Sequence, residues 1–456
     1  MKTCTKFYSI NRILIKFKQM HPDEANVVQN ADNRTDQVKR YDEVLSLFEM
    51  AYPNNLSLNV LKQRTNMSED MLRTIIAKLI KEKLIKEISE GYYIRYTEED
   101  EKSQDYQTIN DNLGGKKPVV AIITSKYCEK LAIEAIMEDK LSFAQFKKEG
   151  ESNAYTVGRI GSICVVTTKL PMVGKIRKAQ IASANTTTRL LGTFDSVTYV
   201  ILVGVCGGVP HYADYYNHIR RSDVVVSCSN VYIKENGIYD SKCNSSSSQT
   251  DIYILCEQYR VNEDEDKEEF NLDKNCTVKS WKLPSNDLVD LANNLITSDA
   301  FSTNWKSEIM VVLKNLASTQ TNQNFAPPIG SDLLQIEMDG SFVEVEHPQK
   351  PSKKDLSVHD PRVHLGVIGS ARQLMNDKSN LDKFIEKYNC RALDYEFDQV
   401  IESIFGNRKE HFIIIRGISD YEYKIGISGK WEPNASVNAA AFTKMLIEKL
   451  SVKNIL

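Results

Sequence analysis

The chain is 456 residues long, 41% hydrophobic and 26% charged, with 58 Lys plus Arg against 61 Asp plus Glu for a formal net charge of -3. That length predicts two to four folding units at about 100 to 200 residues each. The apolar content excludes a wholly disordered chain, and the charge balance excludes a polycation that grips nucleic acid by bulk attraction.

The first twenty residues carry Lys2, Lys6, Arg12, Lys16 and Lys18 among Phe7, Ile10, Leu14 and Phe17, with no acid. Mitochondrial presequences are Arg- and Ser-rich, so a frayed basic terminus is the favoured reading. Residues 21–38 are polar and read as a linker, making 1–39 a region without a core. From Tyr41 a helical spacing (Val44, Leu45, Leu47, Phe48) runs until Pro53, and a short helix follows through Leu58, Val60 and Leu61. Ser68, Glu69 and Asp70 open a third helix with Met71, Leu72, Ile75, Ile76, Leu79 and Ile80 on its apolar face. The alternation of LIKEISEGYYIRY about Gly91 predicts a hairpin. Three helices closed by a hairpin over 40–97 resemble a winged-helix domain. Bound to DNA, such a domain would offer Arg73, Lys78, Lys81 and Arg95 to phosphates. Residues 37–96 hold ten Lys or Arg and eight Asp or Glu, so a protein-binding module is favoured over a DNA reader.

Residues 98–117 are charged and then Gly-rich, a second linker. Beyond them PVVAIIT, ICVVTT, YVILVGV and DVVVS are β-branched runs separated by helical stretches, the pattern of doubly buried strands in an α/β sheet over 118–452. Residues 236–325, with Ser245–Ser248 and an acidic run at 262–273, read as an insertion, partly helical and partly unfolded. No apolar run reaches the ~18 residues of a membrane span, and the nine cysteines are scattered without a C-x-x-C pair. A soluble cytoplasmic protein is expected, with the nucleus as the alternative, and no metal site or other cofactor.

Three places carry chemistry. A buried strand runs into Gly204, Cys206, Gly207 and Gly208, where positive φ angles and close ligand approach are expected at the strand's carboxyl end. The spacing fits neither a dinucleotide fingerprint nor a P-loop. FIIIRGISD sets Ser419 and Asp420 after another buried strand, where a desolvated carboxyl suits proton transfer or, as the alternative, a helix cap. ALDYEF sets Glu396 in apolar surroundings, fit to hold a sugar diol or to form a salt bridge.

Together with YTVGRIGSICVVTTKLPMVGK, VHLGVIGSARQLMND and IIIRGISDYEYKIGISGKWEPNASVNAAAF, these segments resemble the nucleoside phosphorylase superfamily, in its multidomain branch. The resemblance implies a three-layer α/β fold with a central mixed sheet, the winged-helix module lying N-terminal to it. It also implies cleavage of the N-glycosidic bond of a purine nucleoside or nucleotide, and a homo-oligomer. Asp420 would protonate the leaving base with Ser419 steering it, and Glu396 would hold the ribose hydroxyls beside Tyr395, where the family has Met. Cys206, Gly207 and Gly208 would line base and sugar, and Ser370, Arg372 and Gln373 would close over the base. The phosphate-binding Gly and Arg of the phosphorylases are missing at Ser125–Glu129, and Glu129 matches the glutamate that activates water in the nucleosidases. Hydrolysis is therefore favoured over phosphorolysis. A non-catalytic nucleoside sensor is the third reading. Ser125, Lys126, Lys130, Lys175, Arg177 and Arg372 are candidates for a 5′-phosphate.

Overall fold

The computed structural model describes residues 35–96, 117–145, 152–171, 177–236, 250–259, 275–319, 323–328, 332–338, 341–349, 360–374, 377–421 and 430–452. The chain divides into two compact units, Met1–Val44 and Leu45–Leu456. The basic terminus, residues 21–34 and 98–116 of the two linkers, the serine run, the acidic run and Lys175 lie outside the described residues, while Asp36–Val38, read as linker, open the first helix.

Helix α1 (Asp36–Ala51) is followed by β1 (Leu56–Ser57), α2 (Leu58–Thr65), α3 (Glu69–Lys81), β2 (Ile85–Ser89) and β3 (Tyr92–Arg95). Ser57 and Ser68 cap α2 and α3, their hydroxyls accepting from Val60 N and Met71 N. Helix α3 buries Leu72, Ile75, Ile76 and Leu79, the face its periodicity predicts. The hairpin turns at Gly91, whose φ of 71° suits glycine, and β1, β3 and β2 form a small antiparallel sheet. Arg95, expected on an exposed wing, is buried. Its guanidinium donates to Leu84 O at 2.7 Å and Tyr96 O at 2.8 Å and pairs with Glu49 at 3.5 Å. It is not available to a DNA phosphate.

The large sheet opens with β4 (Val120–Thr124). Then come α4 (Tyr127–Ala135), β5 (Glu138–Gln145), β6 (Asn153–Ile160), β7 (Ile163–Lys169), α5 (Arg177–Thr193), β8 (Tyr199–Gly208), β9 (Val224–Ser227) and α6 (Asn230–Glu235). Next are β10 (Asp251–Tyr259), β11 (Cys276–Lys282), α7 (Asp287–Ile296), α8 (Phe301–Ala317) and a separate hairpin of β12 (Leu334–Met338) and β13 (Ser341–Val345). The chain finishes with β14 (Val363–Ser370), α9 (Lys378–Tyr388), β15 (Cys390–Leu393), α10 (Asp398–Gly406), β16 (His411–Tyr421) and α11 (Glu432–Val452).

Strand order is β11-β10-β14-β9-β16-β8-β4-β7-β6-β5, with β15 set against β14 and β8. Strands β16, β8, β4 and β7 run parallel at its centre, while β9 is antiparallel to β16 and β5, β6 and β11 complete a mixed sheet. Both faces are covered. Leu131, Leu288, Trp305 and Leu446 pack one side from α4, α7, α8 and α11, and Leu190, Val400 and Ile401 pack the other from α5 and α10. This is why β4, β8 and β16 read as unbroken apolar runs.

Within 236–325 the described residues join the main fold, as the helical part of the expectation allows and with strands it did not foresee. Strand β10 pairs in parallel with β14 and antiparallel with β11, and α7 and α8 complete one helical layer. DIYILC is an apolar strand of the same kind as the others, masked in the sequence by polar runs on either side. Among the described residues no helix is long and apolar enough to cross a membrane.

Residues 45–96 belong to the same compact unit as the sheet. At the end of β7, Lys169 Nζ lies within hydrogen-bond distance of Met50 O (3.1 Å), Tyr52 O (3.0 Å) and Leu170 O (2.9 Å). Tyr52 meets the Tyr127 ring edge-on at 5.7 Å between centroids, and Ser152 N donates to Asn54 Oδ1 at 2.8 Å.

Candidate active site

The carboxyl ends of the parallel strands β4, β8 and β16 converge on one edge, where open α/β sheets usually bind ligands. Helix α4 starts there with Lys126 at its N-cap, whose side chain makes no cap bond. Glu129 turns back on the loop, and its Oε2 accepts from Ser125 N at 2.7 Å, Ser125 Oγ at 2.9 Å and Lys126 N at 2.8 Å. Its Oε1 accepts from Val205 N at 2.8 Å. Glu129 thus takes up N–H groups that a helix start would otherwise offer to an anion.

Glu396 stands across the edge, on the turn after β15, with its side chain 14% exposed. Burial raises its pKa, with Lys126 and Arg416 pulling it back and Glu129 and Asp394 adding to the rise. The Ser125 hydroxyl is within hydrogen-bond reach of both Glu129 and Glu396.

Arg416, inside β16, is fully buried. It pairs closely with Asp394 and lies 3.4 Å from Glu396 Oε2. Burial opposes its charge, but Asp394, Glu396 and Glu129 more than offset that and hold the guanidinium ionised. Its Nε and Nη1 have no hydrogen-bond partner among the described residues. Gly204 makes room for it: a Cβ there would sit 1.9 Å from Nη1 and 2.9 Å from Glu129 Oε1. Gly204, Gly207 and Gly208 lie within β8, and the positive-φ glycines among the described residues are Gly91 and Gly161. The expectation of left-handed turns here is corrected. At Gly204 the missing side chain lets Arg416 and Glu129 approach the strand.

Asp420 is buried at a β-bulge, in register with Gly207, and accepts from Ser419 Oγ at 3.0 Å; Ser419 Oγ also reaches Cys206 O at 3.4 Å. Burial pushes the Cys206 thiol upward, so it is a neutral wall. Arg372 pairs with Asp398, which also accepts from Tyr253 OH at 2.7 Å. Ser370 and Tyr395 are close by in the chain, and Gln373 is exposed on the turn after β14.

Most of the cations proposed for phosphate are already matched. Lys126 pairs with Glu432 at 2.5 Å, and Lys130 with Glu134 at 2.7 Å in the interior. Arg177 opens α5, and its side chain lies outside the described set. Reading the sequence missed Arg416, Asp394, Glu432 and Lys169. A charged residue inside the apolar run FIIIRGI was a signal for the first. The others depend on long-range pairing that spacing does not carry. Among the described residues no group of three or more His, Cys, Asp or Glu is placed to hold a metal.

No family model and no curated protein matches the chain. Solved structures similar to it include a 5′-methylthioadenosine/S-adenosylhomocysteine nucleosidase assigned in Borrelia burgdorferi B31 and bound to adenine, with 16% identity over 72% of this chain and 99% of that one, TM-score 0.43. A nucleosidase of the same description from Colwellia psychrerythraea 34H, also with adenine, has 16% identity over 74% and 96%, TM-score 0.41. Futalosine hydrolase of Helicobacter pylori has 14% identity over 74% and 98%, TM-score 0.40.

Proposed function

We propose that this chain is an enzyme that hydrolyses the N-glycosidic bond of a purine nucleoside or nucleotide, with water as co-substrate. The observation that carries the choice of water is the position of Glu129. Its carboxylate fills the backbone N–H groups of the loop after β4, where a phosphate would have to bind, and its negative charge would repel one. Arg416 Nη1 and Glu129 Oε1 fill the space over Gly204, side by side against the strand, and Nη1 has no hydrogen-bond partner among the described residues. A water bound in front of this pair would accept from the guanidinium and donate to the carboxylate, which orients it and withdraws its proton as it attacks C1′.

Glu396 holds the 2′- and 3′-hydroxyls, its carboxylate accepting from both. Asp420, oriented by Ser419, delivers a proton to N7 of the base, so the bond to N9 breaks as positive charge develops on the sugar. That charge lies among Glu129 and Glu396, where it is stabilised more than the neutral substrate is.

The N-terminal elements read as a winged helix that binds protein rather than DNA. Arg73 is tied to Glu69 at 2.7 Å, Lys78 lies 3.9 Å from Glu82, and Arg95 is buried.

The test is base release from adenosine, inosine, methylthioadenosine and ATP, with and without phosphate. Phosphate-independent release is expected, and Asp420→Asn should lower kcat by about 10²- to 10⁴-fold. Release that requires phosphate would overturn hydrolysis, and no release under any condition would leave the sensor reading.

A further inference from the structure

Strand β10 brings Tyr253 into the charged network beneath the site. The ring is fully buried and meets Trp281 of β11 edge-on at 5.7 Å between centroids. Its hydroxyl stands between two buried carboxylates, 2.7 Å from Asp398 Oδ1 and 3.0 Å from Asp394 Oδ2. Burial, with Asp394 and Asp398 beside it, pushes the phenol well above the ordinary tyrosine range, so it keeps its proton and donates. Asp394 in turn ties two parts of the site together. Its Oδ1 accepts from Glu396 N at 3.1 Å and from the Arg416 guanidinium, and its Oδ2 accepts from Phe397 N at 3.3 Å. Arg416 also lies over the Phe397 ring at 3.9 Å, so the turn and the arginine are held as one body.

We infer that Tyr253 is a positioning residue: through Asp394 it fixes the turn that carries Glu396 and the guanidinium of Arg416 in one arrangement. The inference rests on the glycosidase reading above and adds a residue to its machinery. The Asp394 carboxylate can rotate about its own bond, and a rotation would release Glu396 N and Arg416 together. The Tyr253 hydroxyl bonds the second oxygen and opposes that rotation. Tyrosine suits the task because its hydroxyl is carried on a rigid ring whose place is set by Trp281. Asp398 extends the same network to Arg372 on the turn after β14, so a strand absent from the three segments that carry the chemistry braces both sides of the site. A displacement of about 1 Å in a group that holds substrate is enough to cost about 10²-fold in rate.

The experiment measures kcat/KM for adenosine, 2′-deoxyadenosine and 3′-deoxyadenosine in wild type, Tyr253→Phe and Trp281→Phe. Each substrate is compared with itself across the variants, so the intrinsic lability of its bond cancels. Tyr253→Phe keeps the ring and removes the hydroxyl. It is expected to lower kcat/KM for adenosine about 10- to 100-fold, and to lower it about 3- to 10-fold less for the deoxy nucleosides, because a displaced Glu396 gains less from the sugar hydroxyls. Trp281→Phe loosens the packing and leaves the hydroxyl bonds, and should lower the denaturation midpoint without moving the ratio between substrates. Equal losses on all three substrates in Tyr253→Phe overturn the inference, as does the same change of ratio in Trp281→Phe, which would assign the effect to packing. If wild type releases no base, the glycosidase reading fails, and the same ratios taken from calorimetric binding constants decide the inference separately.

Discussion

Gly204, Arg416 and Glu396 show how much of this site depends on single atoms. A methyl group at position 204 would occupy space held by the Arg416 guanidinium and the Glu129 carboxylate. Gly204→Ala should therefore cost about 1–3 kcal/mol of stability through overpacking and lower activity far more than a neutral surface change would. Urea unfolding and a base-release assay check both parts, and a variant with wild-type kcat would show that the water site is elsewhere. Glu396 makes a second prediction. Burial raises its pKa, and it must be ionised to accept both sugar hydroxyls, so nucleoside binding weakens as pH falls through that raised pKa. Titration calorimetry over a pH series should show the weakening; an affinity that does not change with pH would contradict it. Asp420, Ser419 and Glu396 stood out as candidates in the sequence because each lies at or just beyond the end of a buried strand. Arg416 was visible as a charge inside such a strand but was passed over, and Asp394 and Glu432 acquire meaning from partners far away in the chain.

Helix α4 and strand β7 place the site against the N-terminal elements. Tyr127 and Lys130 of α4 lie against Tyr52, and Arg95 stacks on Tyr127 at 4.8 Å. Lys130 is buried with Glu134, which also accepts from Thr156 Oγ1 at 2.6 Å. Glu134→Ala would strand a buried ammonium and should cost about 3–5 kcal/mol, read as a lower denaturation midpoint. Lys169 gives a pH signature. Burial pulls its amine from the ordinary 10.5 to about 7, against the opposite pull of Glu129, Glu396 and Glu49. Between those two values the unfolded chain binds a proton that the native protein does not. Stability from this group therefore rises with pH across the window, by up to about 1.4 kcal/mol per unit. Urea titrations at several pH values above 7 should show the rise in wild type and a flatter profile in Lys169→Met; equal slopes would contradict it. Helices α1 to α3, the hairpin and the apolar strands were legible from periodicity and capping. Strand β10 was not, since its polar flanks disguised a core element, and neither was Arg95, whose place is set by Glu49 and not by its position on a strand.

For the molecule as a whole, the N-terminal elements and the sheet share one compact unit from Leu45 onward. Length alone allowed several domains, and the polar stretch at 98–117 invited a reading of two units joined by a tether. Contacts made at Lys169, Tyr127 and Glu49 cross between residues that no local pattern links. Removing residues 1–96 should therefore lower the melting temperature of the remainder and reduce base release, whereas a merely tethered module would leave both unchanged.

The central claim is that water attacks C1′. Incubation with adenosine or inosine in ¹⁸O-water containing phosphate, followed by mass spectrometry of the sugar, tests it most directly. Free ribose that gains one ¹⁸O during glycosidic cleavage, corrected for anomeric exchange by a ribose control at short times, is the predicted product. Ribose 1-phosphate without that label would contradict it.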